Sequence, residues 1–399
     1  MVIYQWDITK IILALIGINL PDQLQKQLFL VLTVFYLLSI ALIGFYNFKK
    51  PLYNWDILPY MAIVLSYDHS DPALIHDSTY AIARHDFPVA VYEQLSDGGI
   101  QYRRTMASDK TAFYHQLPFY AVKPLYSGII YFLHKMGIPL VESTLIPSWL
   151  AYILIGFLIL IWIKKYLSFY YSLVICFLVM ISSIMLNPLR ISTPDSLSAF
   201  FVFGSVYFLI EKKLILWGLL FFILAILTRL DNFIFAFFSI TIIAVTNSWH
   251  SKVSWKKYLY WLSLLAFAFF MTTTNVLRFG WSLFYYPTFF KWLNLPYSFN
   301  ETFHISDYFS LALSHGMAGL YYSNIVLFFA LALITLMENK TFQLRSLSLG
   351  QLLVCVMLLS MMFRFILQPV IDDRFYIGYY LCIIVLIAKE ISQRKISSV

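Results

Sequence analysis

The sequence predicts an all-α polytopic membrane protein, a bundle of about ten transmembrane helices with a large folded outer loop after the first. Three observations carry that expectation. Of 399 residues, 61% are hydrophobic and 12% charged, about half the charged fraction of a soluble domain. Apolar runs near 20 residues recur along the chain, the length that crosses a hydrocarbon core of about 30 Å. Basic residues fall on alternate loops, as the positive-inside rule requires.

In chain order, spans are expected at 28–47, 144–163, 166–187, 194–211, 214–229, 232–247, 258–276, 316–337, 347–365 and 375–389. Residues 8–20 are apolar but short and read as an interfacial helix. The first residues lack the basic start and small-residue cleavage site of a signal peptide, so none is expected. The run 214–246 is too long for one span: at about 1.5 Å per residue it would reach roughly 50 Å. Arg229 and Asp231 interrupt it in "LTRLDNF", which predicts two short helices meeting at the outer surface. The segment 115–133 is helical in pattern and rich in aromatics. Counted as a span it would reverse every later loop, so it is placed outside, packed on the membrane face.

With the N-terminus inside, the inner loops hold Lys164, Lys165, Lys212, Lys213, Lys252, Lys256, Lys257, Lys340 and Arg345, and the C-terminus adds Lys389, Arg394 and Lys395. The outer segments are close to neutral. Both termini are therefore expected inside a cytoplasmic membrane, and the two long segments 48–143 and 277–315 outside. Lys49 and Lys50 break the rule locally. Of the histidines, His250 alone is placed inside, so the polar chemistry faces outward. Cys176, Cys355 and Cys382 lie in apolar runs, which predicts neither a disulfide framework nor a thiolate metal site. The net charge of +8 is accounted for by the inner loops, with no nucleic acid partner. No internal repeat of the kind that marks many transporters is present.

Candidate functional residues stand at the expected outer ends. The stretch 53–87 gathers Asp56, Asp68, Asp71, Asp77 and Asp86 with His69, His76, His85 and Arg84. Asp71-Pro72 reads as a helix start, with Asp as cap and Pro at the first helical position. The helix should run to about Asp86, with His76, Asp77, Tyr80 and Arg84 on or near one face. Asp56 follows the first span closely and precedes apolar residues that suggest a helix at the membrane surface. It is either a helix cap or a general base toward a hydroxyl acceptor, where a lipid-borne headgroup is presented. Asp68, His69, His76 and Asp77 lack strict ligand spacing; a divalent metal is their second reading beside a solvated face. Lys123, before Pro124, either snorkels from an interfacial helix or meets a phosphate. Thr193, Pro194 and Asp195 suit a helix start, while Arg190 and Asp195 face whatever the loops enclose. Arg229 and Asp231 are either a mutual ion pair or part of a site, since charge near the membrane core is costly. The last outer loop brings Arg364, Asp372, Asp373, Arg374 and Tyr376, and two arginines beside acids suit a phosphate plus local ion pairing.

Together these pieces resemble the GT-C superfamily, polytopic glycosyltransferases that take sugar from polyprenyl-phosphate carriers, including the protein O-mannosyltransferases and the lipid A aminoarabinose transferase. Asp56-Ile57-Leu58-Pro59-Tyr60 matches the family's spacing of an acid and a tyrosine near the start of the outer loop. Asp77-Ser78-Thr79-Tyr80-Ala81-Ile82-Ala83-Arg84 is similar to its "DE..YA.IAR" pattern, one residue short and without the second acid. Lys123-Pro124-Leu125-Tyr126 resembles its lysine-proline motif with one proline missing. Asp231 sits in an Arg-x-Asp similar to the family's Arg-Pro-Asp/Glu, and Arg374-Phe375-Tyr376 is similar to its late Arg-Tyr element. The resemblance implies a GT-C-like bundle and sugar transfer from a polyprenyl-phosphate carrier to a hydroxyl on a glycan, lipid or protein, at the outer face of the membrane. It makes Asp56 and Asp77 competing candidates for the base, with Asp56 ranked first by spacing. Lys123, Arg190, Asp195, Arg229, Asp231, Arg374 and Tyr376 are the expected substrate and phosphate ligands. A transporter or flippase, or a polymerase of lipid-linked glycans, is the alternative class.

Overall fold

A computed structural model describes residues 22–250, 255–277, 305–337 and 347–397. The described residues are helical and contain no strand. The expected interfacial helix at 8–20 and most of the expected outer loop 277–315 lie outside them.

The chain opens with α1 (Asp22–Phe48), whose outward face shows Leu30, Val31, Phe35, Leu38, Leu42 and Phe45. So long an apolar stripe facing outward is what a lipid-facing helix presents. Seven short helices follow: α2 (Ile57–Leu65), α3 (Pro72–Asp86), α4 (Val89–Ser96), α5 (Gln101–Ser108), α6 (Lys110–Gln116), α7 (Pro118–Ala121) and α8 (Pro124–Lys135). Local chemistry sets their starts. Asp71 accepts from the Ala73 amide with Pro72 next to it, and Asp109 accepts from the Thr111 and Ala112 amides. Both arrangements satisfy amides that a helix start leaves unpaired. At 12 residues, α8 reaches only about 18 Å, well short of a bilayer core.

This helical layer has a core of its own, built on Ile57, Met61, Tyr80, Met106, Phe113, Tyr126 and Ile130. The same core takes in Leu140, Val141 and Ala151 of α9 (Leu140–Ile163) and Leu197 of the helix that opens at Asp195, so the layer sits directly on the bundle. Every residue of α2 is buried. A helix apolar all round belongs in an interior, so α2 is covered by protein and does not lie open at a membrane surface as the sequence suggested.

The bundle comprises α1, α9, α10 (Phe169–Ile181), α11 (Ser183–Leu189), α12 (Asp195–Val206, extended by a π-turn over Tyr207–Glu211), α13 (Ile215–Thr228), α14 (Asn232–His250), α15 (Trp255–Leu277), α16 (Ile305–Tyr322), α17 (Ile325–Met337), α18 (Leu349–Leu367) and α19 (Ile377–Ser397). Its core runs from Tyr36 and Ile40 through Trp162, Phe203 and Phe222 to Met357, Tyr380 and Leu386. α12 is the central helix, packed on α9, α13 and α19. Gly204 and Gly218 permit the α12–α13 contact, since a Cβ on Gly204 would lie 2.4 Å from the Phe221 ring.

Among the described residues, three helices are long and apolar enough to cross a membrane: Gln23–Phe48, Leu140–Ile163 and Leu349–Leu367. Two bent pairs raise the number to five, α10 with α11 (bent by 50° at Ser182) and α16 with α17. The expected count of ten also takes in the apolar but short Ile215–Thr228 and Asn232–Ser248, so full-length apolar helices alone do not reach it. Residues 166–187, expected as one span, are divided at Ser182. The helix expected from 316 begins at Ile305 and breaks at Ser323-Asn324. Asp373 caps that break, accepting from the Asn324 amide at 2.9 Å and its Nδ2 at 2.6 Å. The run 214–246 is two helices meeting at Arg229–Asp231.

Candidate active site

Charged side chains from four parts of the chain meet at one end of the bundle. They come from the segment before α2, the start of α12, the α13–α14 turn, and the end of α18 with the loop that follows it.

Asp56 immediately precedes α2, with φ −58° and ψ −23°, but its side chain caps nothing. Its oxygens are used elsewhere. Oδ1 accepts from Tyr120 Oη at 3.1 Å. Oδ2 accepts from Asn54 Nδ2 at 2.8 Å and from Arg374 Nη1 at 3.2 Å. The helix-cap reading of Asp56 is therefore incorrect.

Asp195 opens α12 and is 2% exposed. Arg229 Nη1 donates to its Oδ1, and Arg374 Nε lies 3.7 Å from its Oδ2. Arg229 also clasps Asp231 with two parallel bonds, Nε to Oδ1 at 3.1 Å and Nη2 to Oδ2 at 2.8 Å. This two-pronged geometry is the strongest a guanidinium makes with a carboxylate. Arg364 adds a third bond to Asp231, from Nε at 2.9 Å, and donates Nη1 to the Val370 carbonyl and to Tyr376 Oη. Burial alone would push the Asp231 carboxyl up; Arg229 and Arg364 outweigh it and hold the group well below the usual carboxylate range. Phe375 packs among the three arginines, its ring centre 3.8 Å from the Arg364 guanidinium carbon, 4.5 Å from that of Arg229 and 5.0 Å from that of Arg374. One aromatic ring thus serves three cations that carboxylates hold in place.

Lys123 stands apart from the carboxylates. It donates to Tyr60 Oη at 2.8 Å and lies over the rings of Tyr60 and Tyr120, 5.2 and 5.0 Å from their centres. Burial pushes its ammonium down to about 8, with Asp56 opposing. Tyr60 and Tyr120 meet edge to face, and Tyr120 links Lys123 to Asp56, its ring under the ammonium and its hydroxyl on the carboxylate.

No protein-family model, no curated protein and no solved structure matches this chain. The arrangement of its own side chains must carry the functional reading.

Of the residues singled out from sequence, Asp56, Asp195, Arg229, Asp231 and Arg374 are joined directly, Tyr376 through Arg364, and Lys123 through its tyrosines. Two stay outside. Arg190 ends α11 and donates Nε to the Lys50 carbonyl at 2.8 Å, fastening the segment after α1. Asp77 lies on the outer side of α3, its side chain 56% exposed, held by Lys110 Nζ at 2.6 Å and His76 Nδ1 at 3.0 Å. The proposed metal set is likewise dispersed: Asp68 binds Tyr131 and Lys135, and His76 turns its Nε2 to the Met106 carbonyl. Among the described residues no three His, Cys, Asp or Glu side chains gather as a metal site. Sequence reasoning missed Asn54, Tyr120 and Phe375 as members. Tyr120 and Phe375 carried no signal in a chain of 29 Tyr and 37 Phe.

A cavity of about 560 Å³ adjoins the cluster, lined by Asn54 and Arg374, by Ser183 and Asn187 of α11, and by Tyr322 and Asp372 among others. It falls in the size range of small-molecule sites. Asp372 and Asp373 line the cavity, and Asp56 stands behind its wall, hydrogen-bonded to two lining residues, Asn54 and Arg374. The other buried carboxylates, Asp195 and Asp231, are neutralised by arginines.

Proposed function

We propose that the protein is a membrane glycosyltransferase of the GT-C type. In this reading it moves a sugar from a polyprenyl-phosphate carrier to a hydroxyl acceptor at the outer face of a cytoplasmic membrane. The observation that supports it is the Asp56 carboxylate, spared from capping α2, oriented by Tyr120, Asn54 and Arg374, two of which line a cavity, and joined through Arg374 to a cluster of arginines. Asp56 takes the proton of the acceptor hydroxyl as its oxygen bonds to the anomeric carbon. The bond from that carbon to the phosphate oxygen breaks, and the polyprenyl phosphate leaves with the electron pair. Preorganised cations stabilise the growing charge; Arg374, bonded to Asp56, and Lys123, linked to it through Tyr120, are the candidates. Inversion at the anomeric carbon follows, because the hydroxyl attacks opposite the departing phosphate. The roughly ten-span bundle and the outward placement of this end belong to the same proposal and rest on the basic inner loops.

Membranes from cells expressing the chain should release polyprenyl monophosphate as sugar moves to an acceptor. Consumption of a diphosphate-linked oligosaccharide instead would favour polymerisation, and uptake of labelled lipid without bond cleavage would favour a flippase. Orientation is tested by single cysteines. Ser108→Cys should react with an impermeant thiol reagent in intact cells and Ser392→Cys should not; the reverse pattern would turn the map over.

A further inference from the structure

Asn54 and Arg374, the two residues that bond to Asp56 Oδ2, both also line the cavity, and each is incompletely satisfied. Asn54 spends its Nδ2 on Asp56, while its Oδ1 is buried without a hydrogen-bond partner. Arg374 Nε is buried too; it lies 3.0 Å from Asp372 Oδ2 without the geometry of a hydrogen bond. A buried polar atom left unmatched costs free energy that a ligand can recover. Asn54 Oδ1 accepts only, so its missing partner must donate. Asp372 and Asp373 stand on the same wall and repel an anion. Ser183 and Asn187, both exposed on α11, add further donors and acceptors across the space, and Tyr322 supplies an aromatic wall.

We infer that this cavity is the acceptor subsite and that it takes a neutral polyhydroxylated ligand, a sugar ring or comparable polyol, not the phosphate. The inference rests on the sugar-transfer reading for its role. A hydroxyl both donates and accepts, so one ligand group can donate to Asn54 Oδ1 while a neighbouring oxygen accepts from Arg374 Nε. Both residues bond Asp56 at Oδ2, so the base stands directly behind the wall that the ligand meets. The carrier phosphate is left the other side of Asp56, where Tyr120 bonds Oδ1 and Lys123 stands behind it.

The test is saturation-transfer NMR on the full chain in nanodiscs, with the neutral methyl glycosides of glucose, mannose, galactose and N-acetylglucosamine as probes and inorganic phosphate as competitor. At least one glycoside should bind the native protein and resist displacement by excess phosphate. Asn187→Leu and Ser183→Leu, at exposed positions that folding does not depend on, should each weaken that binding roughly tenfold, about the loss of one hydrogen bond. No binding by any of the four, displacement by phosphate, or unchanged binding in both variants overturns the assignment. Donor turnover on the same samples keeps the two readings apart. Glycoside binding through the cavity with no consumption of polyprenyl-phosphate sugar sinks the transfer reading and leaves a polyol site. Donor consumption with unchanged glycoside binding in both variants sinks the subsite alone.

Discussion

Asp56 and Asp77 stand in the same layer of short helices, each just outside or within one of them, and each pairs with a cation. They differ in everything that matters for chemistry. Asp56 is reached by Tyr120 and Arg374 from distant segments and by its neighbour Asn54, and two of these partners, Asn54 and Arg374, line a cavity. Asp77 faces outward and is held by Lys110 and the adjacent His76, and Lys110 keeps its carboxyl below the usual range. An exposed pair of that kind is worth little and is screened by salt. A carboxylate fixed by several partners beside an enclosed space is preorganised. The contrast teaches that motif spacing nominates acids, whereas enclosure and convergence select among them.

The largest effect on folding should come from the arginine-held acids behind Asp56. Asp231→Ala leaves Arg229 and Arg364 without their shared carboxylate. Breaking a buried pair costs about 3–5 kcal/mol, so the variant should lose most of its folded yield in detergent. Near-native thermal stability would show that the cluster is not a structural unit.

Next comes Arg374→Lys. A point charge cannot keep the bond to Asp56 and the approach to Asp195 together, so turnover should fall by about one to two orders of magnitude with little change in expression. Full activity would leave stabilisation of the developing charge to Lys123 or Arg229.

Lys123 predicts a pH dependence. Its folded value near 8 lies below the ordinary lysine value. Its charge is therefore present below about pH 8 and lost as pH rises through it, and turnover that needs the ammonium should decline over that limb. Stability has the opposite sign there. Between about 8 and 10 the unfolded chain binds the extra proton, so this group's contribution to stability rises with pH. Lys123→Met should abolish the alkaline limb; a wild-type profile in that variant would remove Lys123 from the account.

The smallest effect belongs to Asp71, which accepts from the Ala73 amide on an exposed helix start. Asp71→Ala should cost about 1 kcal/mol and leave turnover intact, by thermal melt and donor assay. A turnover defect as large as that of the Arg374 variant would place catalysis on α3 and erase the distinction between the two acids.

How much of this was legible follows the distance over which each feature is written. The Asp71-Pro72 start of α3 and the break at Arg229–Asp231 are spelled in adjacent residues, and the structure places both there. The acids and arginines of the cluster were visible one at a time because charge at the ends of apolar runs is conspicuous. Their pairing was not. Asp56 and Arg374 are 318 positions apart, and no local pattern brings Arg364 to Asp231. The burial of α2 was misread because an apolar helix after a span looks the same whether lipid or protein covers it. Phe375 was invisible for a similar reason, since the ring that three arginines share reads as one more apolar residue.

The direct measurement of the central claim is donor turnover in Asp56→Asn and Asp77→Asn, compared in matched membranes. Asparagine keeps the shape and one acceptor oxygen while it removes the base and its charge. The account predicts that Asp56→Asn inserts normally and loses on the order of 10²–10⁴ in rate, while Asp77→Asn stays within a few-fold of the native protein. A dead Asp77→Asn beside an active Asp56→Asn would move the base to α3, and two fully active variants would contradict sugar transfer at this site.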